Sequence, residues 1–122
     1  KDFAYCDSGM IPWLMIWELL SKSGLSLSEL IAVRKSCFPS SGEINFIVSD
    51  SKNCLDMVLK LFASEAIAID KLDGLSMSFE TWRFNLRKSN TEPLVRLNVE
   101  TKGDQLLLFE KTEKLTKIIQ NL

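Results

Sequence analysis

From Leu75 to Glu100 the chain alternates between apolar and polar residues. Leu75, Met77 and Phe79 take one side while Ser76 and Ser78 take the other. Trp82, Phe84 and Leu86 alternate with Arg83, Asn85 and Arg87, and Val95, Leu97 and Val99 alternate with Arg96, Asn98 and Glu100. Successive side chains of a strand point to opposite faces, so a period of two over three segments predicts an antiparallel sheet with one apolar and one wetted face. Asp73-Gly74 marks a turn ahead of it. Upstream, Glu43 to Val48 (EINFIV) reads as another strand, and Ala66 to Asp70 alternates weakly.

Other segments repeat at helical spacing. Ser49-Asp50-Ser51 caps a helix that gathers Cys54, Leu55, Val58, Leu61 and Phe62 on one face. Gly103-Asp104 opens a last helix carrying Leu108, Leu115, Ile118, Ile119 and Leu122. These two helices are expected to cover the greasy side of the sheet. The fold class is therefore α+β: an antiparallel sheet of about four strands with helices on one face.

Two helices are expected before the sheet. Asp7-Ser8-Gly9 offers an N-cap, Pro12 falls in a first turn that tolerates it, and Gly24 closes the helix. Between them Met10, Ile11, Trp13, Leu14, Met15, Ile16, Trp17, Leu19 and Leu20 leave almost no polar face, which predicts a helix surrounded by other structure. Ser26-x-x-Glu29 is a capping box for a second helix, which Pro39 ends. Pro39-Ser40-Ser41-Gly42 reads as a linker, dividing residues 1–39 from 40–122.

Composition narrows the chemistry. At 122 residues, with 46% hydrophobic and 25% charged, there is material for one modest core. A balance of 15 basic against 16 acidic side chains lacks the basic excess of a nucleic-acid binder, so none is expected as a partner. The absence of histidine removes Ser-His and Cys-His nucleophile pairs and every His metal ligand. No catalytic residue and no metal ligand is assigned. Cys6, Cys37 and Cys54 are odd in number and far apart, which fits free thiols, mostly buried, in a cytoplasmic protein. The apolar run from Met10 to Leu20 is interrupted by Pro12 and Glu18 and falls short of the ~20 residues of a membrane span, so no membrane association is expected. The chain begins Lys1-Asp2-Phe3, with no initiating Met, as a fragment would.

One loop carries candidate chemistry: Arg87-Lys88-Ser89-Asn90-Thr91-Glu92-Pro93. Arg87 ends a strand on its polar face, where a guanidinium can grip a phosphate by two nitrogens. Ser89 and Thr91 bring hydroxyls, Asn90 an amide, and a tight polar loop can turn main-chain N–H groups inward. By spacing alone, most such loops are plain solvated turns. Lys88 is expected in solvent and Glu92 directed away from an anion. Arg96 is expected to pair with a carboxylate such as Glu100.

The run from Asp73-Gly74 through Trp82 to Arg87-Lys88-Ser89-Asn90-Thr91-Glu92-Pro93 and on to Arg96 resembles the last domain of the α-D-phosphohexomutases, whose signature is D-G … W-x-x-x-R-x-S-N-T-E-P followed by an arginine-bearing strand. Tyr5 to Trp13 resembles the final helix region of that family's third domain, and Phe38-Pro39 with Ser41-Gly42-Glu43-Ile44-Asn45 resembles the hinge in its phosphomannomutase branch.

The resemblance implies that residues 1–39 are a helical remnant of a third, sugar-binding domain and that 40–122 form a fourth, phosphate-binding one. It implies an enzyme that interconverts mannose 6-phosphate and mannose 1-phosphate through a phosphoserine and a bisphosphorylated sugar. Mg²⁺ would be held upstream, outside this chain. Arg87, Ser89, Asn90 and Thr91 would grip the substrate's non-reacting phosphate, positioning it without making or breaking bonds. The implied partners are a hexose phosphate and the upstream domains of the same enzyme. The 122-residue chain alone is expected to be inactive and to self-associate through Trp13 and Trp17 of its exposed first helix. Phosphoglucomutase of the same superfamily, a stand-alone phosphosugar-binding module and an interaction domain are the alternatives.

Overall fold

The strand-forming alternation and the amphipathic helices assemble as one α+β layer structure in the computed structural model, which describes residues 8–122. Two helices come first, α1 (Met10–Ser23) and α2 (Leu27–Cys37). They are followed by β1 (Ile44–Ile47), α3 (Ser51–Phe62), β2 (Ala68–Asp70), β3 (Leu75–Ser78), β4 (Trp82–Lys88), β5 (Leu94–Thr101) and α4 (Gln105–Gln120). The chain divides into two compact units, one ending at Arg34 and the other spanning Lys35–Leu122.

The sheet is antiparallel, in the order β1-β5-β4-β3-β2. It has five strands where about four were expected. The weakly alternating Ala68–Asp70 pairs along β3 as a short edge, with all three residues exposed. Such a strand buries little, so its hydrophobic pattern carries little signal. At the opposite edge β1 pairs with β5, Ile44 facing Leu97 and Phe46 facing Val95. The longest ladder joins β4 to β5, from Trp82 opposite Thr101 to Lys88 opposite Val95.

The apolar face is the one the alternation marks. Leu75, Met77, Trp82, Phe84, Leu86, Val95, Leu97 and Val99 are all buried there. Cys54, Val58 and Phe62 from α3 and Leu108, Leu115 and Ile119 from α4 close over them in one core. Phe62 is its aromatic hub, meeting Phe79, Trp82 and Phe84 edge-on at centroid distances of 6.1, 6.0 and 5.8 Å. Edge-to-face pairs of this kind contribute roughly 0.5–1.5 kcal/mol each beyond the area they bury. Leu61, at the rim of the α3 stripe, is exposed, as is Leu122 after α4.

Both sheet-covering helices are capped by aspartate. Asp50 accepts from the Asn53 N–H at 3.0 Å and Asp104 from the Leu107 N–H at 2.8 Å. The capping box of α2 is formed: the Ser26 N–H donates to Glu29 Oε2 at 2.8 Å, and the Glu29 N–H donates to Ser26 Oγ at 3.3 Å. At α1 the N-cap is Gly9, without a side-chain cap bond. The Ser8 hydroxyl accepts from the Met10 N–H at 3.3 Å instead, and Asp7 lies outside the described residues. Neither α1 nor α2 has a buried residue. Trp13 and Trp17, one helical turn apart, are 52% and 61% exposed.

One expectation is corrected. Cys37 is exposed, since α2 has no buried side, while Cys54 is buried as expected and Cys6 lies outside the described residues. The linker-like Pro39–Ser41 is stitched to β5: the Thr101 N–H donates to the Pro39 carbonyl at 3.0 Å and the Ser41 N–H to the Val99 carbonyl at 2.9 Å. Val99 in turn donates to Ser41 Oγ at 2.9 Å.

Candidate functional site

The polar side of the sheet is a concavity of about 350 Å³, floored by β3, β4 and β5. Strand register decides which charges meet there. Arg83 stands opposite Glu100, Asn85 opposite Asn98, and Arg87 opposite Arg96. The first pair forms an ion pair, Arg83 Nη2 to Glu100 Oε2 at 2.7 Å. Glu100 is thereby taken, and the expected Arg96–Glu100 pairing does not occur. Four residues along one strand are ~13 Å apart, whereas Arg83 is directly across.

Arg96 pairs elsewhere. Its Nη1 lies 3.3 Å from Glu43 Oε1, and its Nη2 lies 3.9 Å from Glu92 Oε2. Its Nε is buried without a hydrogen-bond acceptor among the described residues. Arg87 reaches the same glutamate, Nη2 to Oε2 at 3.1 Å, and its Nη1 lies 4.0 Å from Asp73 Oδ2. Arg87 and Glu43 are 40% and 42% exposed, so these contacts are open to competition by solvent and solutes.

Of the four residues singled out in the loop, Arg87 lines the concavity, whereas Ser89, Asn90 and Thr91 lie beyond its wall on the β4–β5 connection. That connection is tightly folded. The Ser89 N–H donates to the Leu94 carbonyl at 2.9 Å and the Leu94 N–H to the Glu92 carbonyl at 2.8 Å. The Thr91 N–H points back to Ser89 Oγ at 3.4 Å, and the Val48 N–H reaches the Pro93 carbonyl at 3.4 Å. The Ser89 amide is therefore occupied by the turn, while Asn90 and Thr91 are exposed at its tip. Lys88 is exposed too.

Glu43, Asp73 and Asn85 join the site without having been singled out. Asn85 donates to the Asp73 carbonyl and to Ser76 Oγ, both at 2.9 Å, which fixes the Asp73-Gly74 turn against β4. Membership of the polar face was readable from the alternation for Asn85. Glu43 precedes its strand and Asp73 sits in a turn, so only strand order brings them to Arg87.

Among the described residues no group of three His, Cys, Asp or Glu side chains could hold a metal ion. The Mg²⁺ that the resemblance implies finds no ligand set in them. No helix among them is long and apolar enough to cross a membrane.

The family model described as phosphoglucomutase/phosphomannomutase, C-terminal domain, matches residues 43–113. The chain is 52% identical over 121 residues to a phosphomannomutase of Salmonella montevideo, covering 99% of this chain and 26% of that protein. It is 53% identical over 123 residues to a phosphomannomutase of Vibrio cholerae, covering 100% and 27%. A protein of Xanthomonas campestris described as phosphohexose mutases is 51% identical over 120 residues, covering 98% and 27%. The chain thus spans about a quarter of the length of these curated relatives.

Proposed function

The chain belongs to the phosphoglucomutase/phosphomannomutase C-terminal domain family, and on that premise we propose that its sheet unit grips the phosphate of a hexose phosphate for a phosphomannomutase. The observation that carries the reading is the placement of Arg87. The family match encloses the whole Arg87–Pro93 loop, and the Arg87 guanidinium stands on the polar face, half-exposed, at the strand end that leads into it. A guanidinium there offers paired donors, and the Ser89, Asn90 and Thr91 side chains offer neutral ones.

In this reading the loop positions the phosphate that does not react. Binding energy from that remote group orients the reacting one. The transferable phosphoryl group, the Mg²⁺ and the sugar-reading residues belong to other parts of the enzyme, a cytoplasmic protein that carries its phosphoryl group on serine and supplies mannose 1-phosphate for GDP-mannose formation. Alone, the 122-residue chain turns over no substrate and self-associates through the exposed Trp13–Trp17 surface of α1.

The test is a titration of this chain with mannose 1-phosphate, followed through the amide signals of residues 87–91. Saturable shifts at millimolar ligand are expected, and Arg87→Gln should abolish them. Signals that stay fixed up to tens of millimolar would remove the assignment.

A further inference from the structure

Every facing pair on the polar side of the β4–β5 ladder is matched except one. Arg83 meets Glu100 and Asn85 meets Asn98, but Arg87 meets Arg96. Like charges directly opposed across a ladder repel, and closely spaced residues of an antiparallel pair hold them within reach of each other. The correction comes from a third strand's approach. Glu43, one residue ahead of β1, puts Oε2 at 3.1 Å from Arg87 and Oε1 at 3.3 Å from Arg96. One anion with its oxygens divided between two guanidiniums is the arrangement that a phosphate would also adopt there.

We infer that Glu43 is the built-in counter-ion of the arginine grip, holding Arg87 and Arg96 together while the site is empty and competing with an entering phosphate for them. This rests on the reading of Arg87 as a phosphate ligand. The backbone supplies Glu43 from a fixed base, since Ser41 is bonded to Val99 in both directions two residues earlier. The carboxylate itself is 42% exposed and held only by side-chain contacts, so it can yield. Glu43 thus sets how tightly the phosphate is held: its charge opposes a dianion while its absence would leave two arginines in conflict. A grip weakened in this way lets go of a phosphosugar more readily than two unopposed arginines would.

The experiment titrates the 122-residue chain with inorganic phosphate and, separately, with mannose 1-phosphate, comparing wild type with Glu43→Gln, Glu43→Ala, Glu100→Gln and Arg87→Gln. Loss of one negative charge about 6 Å from a dianion corresponds to roughly a threefold to tenfold tighter dissociation constant in dilute salt. Both Glu43 variants should bind that much more tightly, the gain should shrink as salt is raised, and Glu100→Gln should stay within about twofold of wild type. The Glu43 variants should also melt lower than wild type in phosphate-free buffer and gain more on phosphate addition. Binding that depends on Arg87 but is unchanged or weakened in both Glu43 variants overturns the counter-ion role and leaves the phosphate grip standing. Binding by no variant, or binding indifferent to Arg87→Gln, overturns both.

Discussion

Gly74 lies against Arg87 so closely that a Cβ on Gly74 would stand 2.6 Å from the Arg87 Cβ and 2.6 Å from the Leu86 carbonyl oxygen. The glycine also has φ of +77°, a left-handed conformation that L side chains rarely adopt. Gly74→Ala therefore combines backbone strain with a collision against β4, an obstacle that cannot rotate away. A loss of about 2–5 kcal/mol of stability is expected, measured by urea unfolding. Because the displaced atoms carry Arg87, phosphate binding should weaken as well. An alanine variant as stable as wild type would show that the turn relaxes freely.

Phe62 organises the core at a single point of α3, contacting Phe79 from the β3–β4 connection and Trp82 and Phe84 from β4. Phe62→Ala should cost roughly 3–5 kcal/mol. Leu61→Ala, one residue away but exposed, should cost under about 1 kcal/mol. Equal losses in the two variants would contradict the packing of α3.

The Glu29 carboxyl titrates below its ordinary value, chiefly through the hydrogen bond from the Ser26 side chain and then that from the Ser26 backbone. A carboxylate whose folded pKa is depressed adds stability that is fully present above its unfolded pKa. That contribution disappears as the pH falls through the folded value. The α2 capping box should accordingly loosen only below the usual glutamate range. Carboxyl NMR titration of Ser26→Ala should move the Glu29 midpoint upward; an unmoved midpoint would mean that the box adds nothing in solution.

Cys37 is exposed and Cys54 is buried, with burial pushing the Cys54 thiol pKa up. The thiolate is the reactive form, so burial holds Cys54 back both by blocking access and by disfavouring its thiolate. Alkylation of the folded chain with iodoacetamide at mildly alkaline pH, mapped by peptide mass spectrometry, should modify Cys37 well before Cys54. Comparable rates at the two positions would indicate that the α3–sheet contact opens readily.

The alternation from Leu75 to Val99 named every buried residue of β3 and β4 and all those of β5 except Thr101, because a pleated strand with one covered face has to separate its side chains by period two. Asp50, Asp104 and the Ser26–Glu29 box announced helix starts for an equally local reason: the unpaired N–H groups they satisfy lie within three residues. Arg87, Ser89, Asn90 and Thr91 were legible as a donor-rich loop, again from adjacent positions. The edge strand Ala68–Asp70 was faint, since a strand that buries nothing has no pattern to write. How the charges of the polar face pair with one another could not be read from spacing. Arg96 finds Glu43, 53 residues away, and leaves Glu100 to Arg83, because pairing across strands is set by register and strand order. Short-range periodicity and capping thus determined the elements, while the long-range docking of β1 beside β5 decided the electrostatics of the site.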